Sequence, residues 1–132
     1  GGRVDLPPVI DFESLGGVSE VLAVQRARVF IEETKRLWGQ DVILYTCTAF
    51  WDQLLKGGAI DLEDRSFFGA MVLWLADYRA KPMVPVLWST WTFLQFDGDG
   101  GLTMPNGVDA DFNVFAGDEA ALKAWIDGRA RG

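Results

Sequence analysis

Apolar positions recur at helical spacing in the first third of the chain. Between Ser19 and Trp38 they fall three and four residues apart, while charged residues occupy most of the other positions. Ser19 suits a helix N-cap, and Gly39 is of the residue type that most often ends a helix. The pattern therefore predicts an amphipathic helix of about five turns that begins after Ser19 and ends near Gly39.

Short apolar runs before and after this helix predict buried strands. The longest, from Phe67 to Asp77, is apolar on all sides, which favours a strand that is covered on both faces; a helix is the alternative. Gly117 and Asp118 precede a last helix. The other predicted elements are strands at 7–13, 41–46, 86–96 and within 107–115, a helix at 49–56 and a turn at 97–101.

The order of these elements predicts the fold class. Strands alternate with helices in the first part of the chain, which is typical of a parallel α/β sheet with crossover helices. The fourth and fifth strands leave little room for a helix between them. We therefore expect an α/β fold whose C-terminal part is irregular.

Composition narrows the possible functions. The 132 residues are 49% hydrophobic, which fits one domain with its own core. The net charge of −7 and the lack of a basic cluster argue against nucleic-acid binding, and no apolar run approaches the ~20 residues of a membrane span. Histidine is absent and Cys47 is the single cysteine, which excludes histidine-based triads, histidine-ligated zinc and an intrachain disulfide.

Two carboxylates lie on the first predicted strand. Asp11 and Glu13 are two residues apart, so their side chains share a face with Cα atoms roughly 7 Å apart. Such a pair can divide into one acid and one anion near neutral pH, because one charge opposes the ionisation of the other. Two alternatives remain: a chance Asp-x-Glu that caps the next turn, and a Mg or Ca site completed by further oxygen ligands.

Further polar and aromatic side chains lie at or near the ends of the later strands. Carboxylates, phenols, an amide and indoles together are the chemistry of a carbohydrate cleft, where aromatic faces stack on sugars and polar groups bind hydroxyls. The residues concerned are Tyr45, Asp77, Tyr78, Trp91, Gln95 and Asp111.

The ordered motifs resemble those of the lysozymes of glycoside hydrolase family 25, over nearly the whole chain from about Leu6 to Trp125. The resemblance implies an irregular (β/α) barrel of which this chain, as a single domain over residues 1–132, carries the last five strands. The first three strands of the family have no counterpart here. The segments that carry the resemblance are Leu6-Pro7-Pro8-Val9-Ile10-Asp11-Phe12-Glu13, Ile43-Leu44-Tyr45-Thr46, Leu73-Trp74-Leu75-Ala76-Asp77-Tyr78, Trp91-Thr92-Phe93-Leu94-Gln95-Phe96 and Val108-Asp109-Ala110-Asp111-Phe112-Asn113-Val114-Phe115-Ala116-Gly117-Asp118.

The same resemblance implies a muramidase that cleaves peptidoglycan between N-acetylmuramic acid and N-acetylglucosamine, without a cofactor or metal. Glu13 would be the acid and base, and Asp11 would orient the substrate acetamido group in substrate-assisted catalysis. Tyr45, Asp77, Tyr78 and Asp111 fall on family positions that line the cleft. Trp91 and Gln95 are further expected glycan contacts, in a segment where Leu94 and Phe96 replace the usual Trp and Tyr of the family.

An incomplete barrel leaves an open sheet edge. We hypothesise that a second copy of the chain covers it; a partner chain with the remaining strands, or local refolding, is the alternative. The alternative function is an inactive scaffold or glycan-binding module. The resemblance places the site of action at the cell wall, after secretion or phage delivery.

Overall fold

A computed structural model of the chain describes residues 6–97, 105 and 110–130. Five strands and four helices lie within these ranges, and none of the helices combines the length and the apolar character needed to cross a membrane. In chain order the elements are β1 (Val9–Asp11), α1 (Glu20–Trp38), β2 (Ile43–Cys47), α2 (Thr48–Lys56), α3 (Leu62–Gly69), β3 (Val72–Ala76), β4 (Phe93–Asp97), β5 (Phe112–Phe115) and α4 (Glu119–Ala130).

The strands form one sheet in the order β1-β2-β3-β4-β5. The first four strands pair in parallel and β5 is antiparallel to β4. Helices make the first two crossovers, which confirms the predicted α/β alternation. Residues 77–92 connect β3 to β4 without a helix, and β5 then reverses direction, so the C-terminal part is irregular as expected.

Helix α1 forms where the sequence predicts it, because both of its ends carry local signals. The Ser19 hydroxyl accepts a hydrogen bond from the Leu22 amide at 3.2 Å. At the other end, Gly39 adopts a left-handed φ of 64° and donates to the Lys35 carbonyl at 2.9 Å. The buried side of the helix packs on the sheet through Ala23, Val24, Ala27 and Ile31.

The core lies on one face of the sheet, between the strands and helices α1 to α3. Its centre is an aromatic group in which the Phe12 ring lies 4.9 Å from Phe50 and the Trp51 ring 5.1 Å from Phe68. Alternate strand residues such as Leu44 and Leu73 pack beneath these rings and are almost fully buried. The opposite face of the sheet is therefore free to carry polar and aromatic groups.

Two expectations about β3 and its surroundings were wrong. Leu73 and Leu75 are buried, but Trp74 on the other face is only half-buried, so the strand is covered on one face instead of both. Phe67 and Phe68 belong to α3, a helix that the sequence pattern did not reveal. A capping box begins this helix: Asp61 accepts from the Asp64 amide at 2.7 Å, and Asp64 accepts from the Asp61 amide at 3.2 Å.

The fourth strand is shorter than predicted. Residues 86–92 are irregular and begin with a turn in which the Trp88 amide donates to the Pro85 carbonyl at 3.0 Å. The strand begins only at Phe93, so Trp91 lies before β4 and not within it. The predicted turn after Asp97 lies outside the described residues.

Candidate active site

The face of the sheet opposite helices α1 to α3 carries most of the predicted site residues. Asp11 pairs with Tyr45, and Tyr45 pairs with Trp74, so these three side chains share that face. Gln95, which pairs with Ala76 on one side and Asn113 on the other, lies on the same face one step further along the strands. The register therefore assembles a row of polar and aromatic groups across all five strands.

Asp11 and Glu13 form an interacting pair at the carboxyl end of β1. Phe12 between them points into the core and is 7% exposed, so the two carboxylates project to the opposite, exposed side. The pKa of Glu13 is raised, first by burial, then by the negative charge of Asp11 and by a hydrogen bond between the two carboxyl groups. A raised pKa favours Glu13 as a proton donor beside an ionised neighbour.

The backbone around this pair is anchored from both sides of Phe12. The Phe12 amide donates to the Tyr45 carbonyl at 2.9 Å, and the Phe12 carbonyl accepts from the Thr46 hydroxyl at 2.5 Å. The Trp51 indole donates in turn to the Thr46 hydroxyl at 2.8 Å. These buried bonds hold the end of β1, which fixes where Asp11 and Glu13 leave the sheet.

Two phenols meet the amide of Gln95. The hydroxyls of Tyr45 and Tyr78 each donate to Gln95 Oε1 at 2.7 Å. Burial, followed by the charges of Glu13, Asp11 and Asp111 and the neighbouring Tyr78, raises the pKa of Tyr45 to about 12. The structure thus brings Tyr45, Tyr78 and Gln95 together with the carboxylate pair and Asp111.

Asp77 follows β3 directly but uses its oxygens within the protein. It accepts from the Met83 amide at 3.0 Å and from Arg79 Nε at 2.8 Å, and the ion pair with Arg79 is the main reason that its pKa falls to about 2. The Asp77 side chain is 5% exposed. These contacts close the segment from Tyr78 to Met83 into a loop, which places Tyr78 beside Gln95.

Trp91, which the sequence suggested as a glycan contact, is partly buried and packs against the core. The structure offers Trp74 on the open face, where its ring lies 5.3 Å from Tyr45 and its indole nitrogen donates to Asn113 Oδ1 at 2.8 Å. Sequence reasoning missed Trp74 as a site residue. The signal that points to Trp74 is its pairing with Tyr45, which requires the register of β2 and β3.

No group of three metal-ligating side chains occurs in the part of the chain that the structure describes. The carboxylates of this face are arranged around phenols and an amide, which is a set of hydrogen-bonding groups for a polar organic substrate.

Comparison with known proteins identifies relatives. The family model described as glycosyl hydrolases family 25 matches residues 2–103. Lysozyme M1 of Streptomyces globisporus is 31% identical over 132 residues, covering 95% of this chain and 42% of that protein. The protein named YegX of Escherichia coli O157:H7 is 28% identical over 125 residues, covering 94% of this chain and 42% of that protein.

The fold comparison agrees with the sequence comparison. The crystal structure of the bacterial lysozyme from Streptomyces coelicolor matches with a TM-score of 0.73 and 25% identity, over 94% of this chain and 57% of that chain. The five-stranded sheet is thus shared with a solved lysozyme. The chain spans less than half the length of the curated relatives it matches, at 42% of each.

Proposed function

This chain belongs to glycosyl hydrolase family 25, and on that premise we propose that it acts as a muramidase, cleaving the β-1,4 bond between N-acetylmuramic acid and N-acetylglucosamine in peptidoglycan. The observation that carries the proposal is the Asp11 and Glu13 pair, in which the pKa of Glu13 is raised. The site of action is the cell wall, reached by secretion or phage delivery.

The two carboxylates take different roles in the proposed reaction. Protonated Glu13 gives its proton to the glycosidic oxygen as the bond from that oxygen to the anomeric carbon breaks. The carbonyl oxygen of the substrate acetamido group forms the replacing bond to the anomeric carbon, and Asp11 stabilises the charge that develops on the acetamido nitrogen. Ionised Glu13 then takes a proton from water, whose oxygen attacks the anomeric carbon and releases the acetamido group.

The open face supplies the groups that would bind the glycan. Tyr45 and Tyr78 are held beside the carboxylates, and the charge of Asp111 acts on Tyr45. Trp74 adds an aromatic ring on the same face, and aromatic rings are suited to stacking on sugar rings. Asp77 supports this arrangement by closing the loop that carries Tyr78.

The proposal is tested by Glu13→Gln, which removes the proton donor and keeps the side-chain size. We expect turnover of purified peptidoglycan, measured as released reducing ends, to fall by at least about 100-fold. Glu119→Gln, at an exposed position in the first turn of α4, is the matched control and should retain the wild-type rate. Equal rates for wild type and Glu13→Gln would remove Glu13 from the mechanism.

A glycan-binding module without turnover is the second candidate function. It is favoured by the coverage of the relatives, because this chain carries 42% of their length and the remainder can contain further groups of the site. This function predicts that wild type and Glu13→Gln bind muropeptides with similar affinity while neither releases reducing ends. The same two proteins therefore distinguish the two candidates.

We propose further that a second copy of this chain covers the β1 edge. A groove of about 520 Å³ runs between β1 and α1, with Val9 and Phe30 among its lining residues. Val9 is 44% exposed, Phe30 55% and Val29 66%, so apolar surface continues from the strand edge onto the helix. The matched region is 57% of the solved lysozyme chain, so that protein has further chain beyond the part it shares with this one.

A further inference from the structure

The two tyrosines of this protein share one hydrogen-bond acceptor. The sequence contains two tyrosines, Tyr45 on β2 and Tyr78 after β3, and both donate to Gln95 Oε1 at 2.7 Å. A carbonyl oxygen has two lone pairs, and each phenol has one proton to donate. Both lone pairs are therefore used, and the direction of both phenol protons is set by one residue.

The backbone holds Gln95 in place independently of any ligand. Gln95 is 6% exposed and lies within β4, paired with Ala76 on one side and Asn113 on the other. Its own carbonyl accepts from the Asp77 amide at 3.1 Å. The acceptor is thus fixed by the sheet before a glycan binds.

Carboxylates lie near the Tyr45 phenol, and Asp11 is the direct neighbour of Tyr45 in the register of β1 and β2. The charges of Asp11, Glu13 and Asp111 all act on its phenol. A phenol that donated to Glu13 would stabilise the ionised carboxylate and oppose its use as a proton donor. A phenol whose proton is committed elsewhere offers only its oxygen lone pairs to a neighbouring group.

We propose that Gln95 is a positioning residue, which fixes the hydroxyl protons of Tyr45 and Tyr78 and keeps that of Tyr45 away from the acidic side chains, so that both phenol oxygens accept hydrogen bonds from the hydroxyl and amide N–H groups of a glycan. The glycan part of this inference rests on the proposed function. The direction of the phenol protons does not, and it can be measured without any substrate.

Raman spectroscopy of the tyrosine Fermi doublet provides that measurement, because its intensity ratio is low for a phenol that donates a strong hydrogen bond and high for one that accepts. With two tyrosines in the chain, the signal reports Tyr45 and Tyr78 alone. We expect a low ratio in wild type and in each of Tyr45→Phe and Tyr78→Phe. A high ratio in wild type would show that the Gln95 amide nitrogen donates to the phenols, and would overturn the assignment.

Substitution of Gln95 separates positioning from simple packing. Gln95→Met keeps the length of the side chain but removes the acceptor, so the released Tyr45 proton turns to Glu13 and the pKa of Glu13, followed by NMR of labelled protein, should fall. Adding Tyr45→Phe to this variant should reverse the fall. Gln53→Met, at an exposed glutamine of α2, is the control and should match wild type. An unchanged pKa of Glu13 in folded Gln95→Met would contradict the proposal, and the single tyrosine variants still decide the direction of the phenol protons if Gln95→Met does not fold.

Kinetics test the consequence for the glycan. With muropeptide substrate, Gln95→Met should raise KM about tenfold, the effect of one or two lost hydrogen bonds. Its activity should also decline at lower pH than that of wild type, because the released Tyr45 proton stabilises ionised Glu13, and adding Tyr45→Phe should reverse this shift. If the wild-type protein shows no turnover, the proposed function is refuted but the Raman result still stands. If the wild-type Raman ratio is low but the kinetics of Gln95→Met are unchanged, Gln95 has no role in glycan binding.

Discussion

Glu13 has a raised pKa for two reasons that a single substitution can separate. Burial is the larger cause, and the neighbouring charge and hydrogen bond of Asp11 come next. Asp11→Asn removes the charge and leaves the burial, so the pKa of Glu13 should fall but stay above 4.5, its ordinary value. Carboxyl carbon shifts of labelled protein, followed against pH by NMR, measure this directly.

The control for this prediction is Asp127→Asn, which changes an exposed carboxylate on α4 and should leave Glu13 unchanged. A return of the Glu13 pKa to 4.5 in Asp11→Asn would show that charge and not burial dominates. The raised pKa of Glu13 also sets the pH dependence of the proposed reaction. The acid form of Glu13 is lost as pH rises through its pKa, so activity should decline on that side.

At the scale of single residues, spacing alone was enough to predict the carboxylate pair. Asp11 and Glu13 are two positions apart, and alternation along an extended chain puts them on one side whatever the rest of the fold does. The contact of Tyr45 with Gln95 could not be predicted in this way, because 50 residues separate them and the register of three strands brings them together.

At the scale of elements, the Tyr78 to Met83 loop is held by one carboxylate. The pKa of Asp77 is lowered from 3.8 to about 2, mainly by Arg79. Because the folded-state pKa is depressed, the stabilisation is present above pH 3.8 and is lost as pH falls towards 2. We expect Asp77→Asn to lower the free energy of unfolding by about 2 kcal/mol at pH 7.

Urea unfolding of wild type and Asp77→Asn at pH 7 and at progressively lower pH tests this prediction. The difference between the two proteins should shrink as Asp77 in the wild type becomes protonated. Asp127→Asn again serves as the exposed control. A difference that stayed constant down to pH 2 would mean that Asp77 acts through packing and not through its charge.

Elements with local signals at both ends were predictable, and those whose limits depend on neighbours were not. α1 has Ser19 and Gly39 at its ends and was predicted within a residue or two. α3 was missed because its capping box uses aspartate, at Asp64, in place of the usual Glu or Gln, and because Phe67 and Phe68 extend into the apolar run of β3. β4 was predicted too long because its Trp- and Thr-rich approach has strand-like composition.

At the scale of the whole molecule, family resemblance predicted a sheet of five strands, and the order of strands confirms that count in the described residues. Which chain covers the edge of this sheet depends on the exposed surface of the folded protein and not on local sequence patterns. β1 is an edge strand with its outer hydrogen-bonding groups unpaired within the sheet, and α1 presents exposed Val29 and Phe30 beside it. Such an edge is a template for pairing with further chain.

The second-copy proposal therefore predicts the effect of a charge on this surface. Phe30 is 55% exposed, so Phe30→Glu should change the stability of a lone chain by less than about 0.5 kcal/mol while opposing association through the buried charge. Native mass spectrometry at micromolar concentration should give a dimer for wild type and a monomer for Phe30→Glu, and the unfolding midpoint should depend on concentration in wild type alone. Val86→Glu, at a position that is 74% exposed and outside this surface, should remain dimeric. A monomeric wild type would reject the second copy and leave a partner chain with the remaining strands as the occupant to test by co-expression.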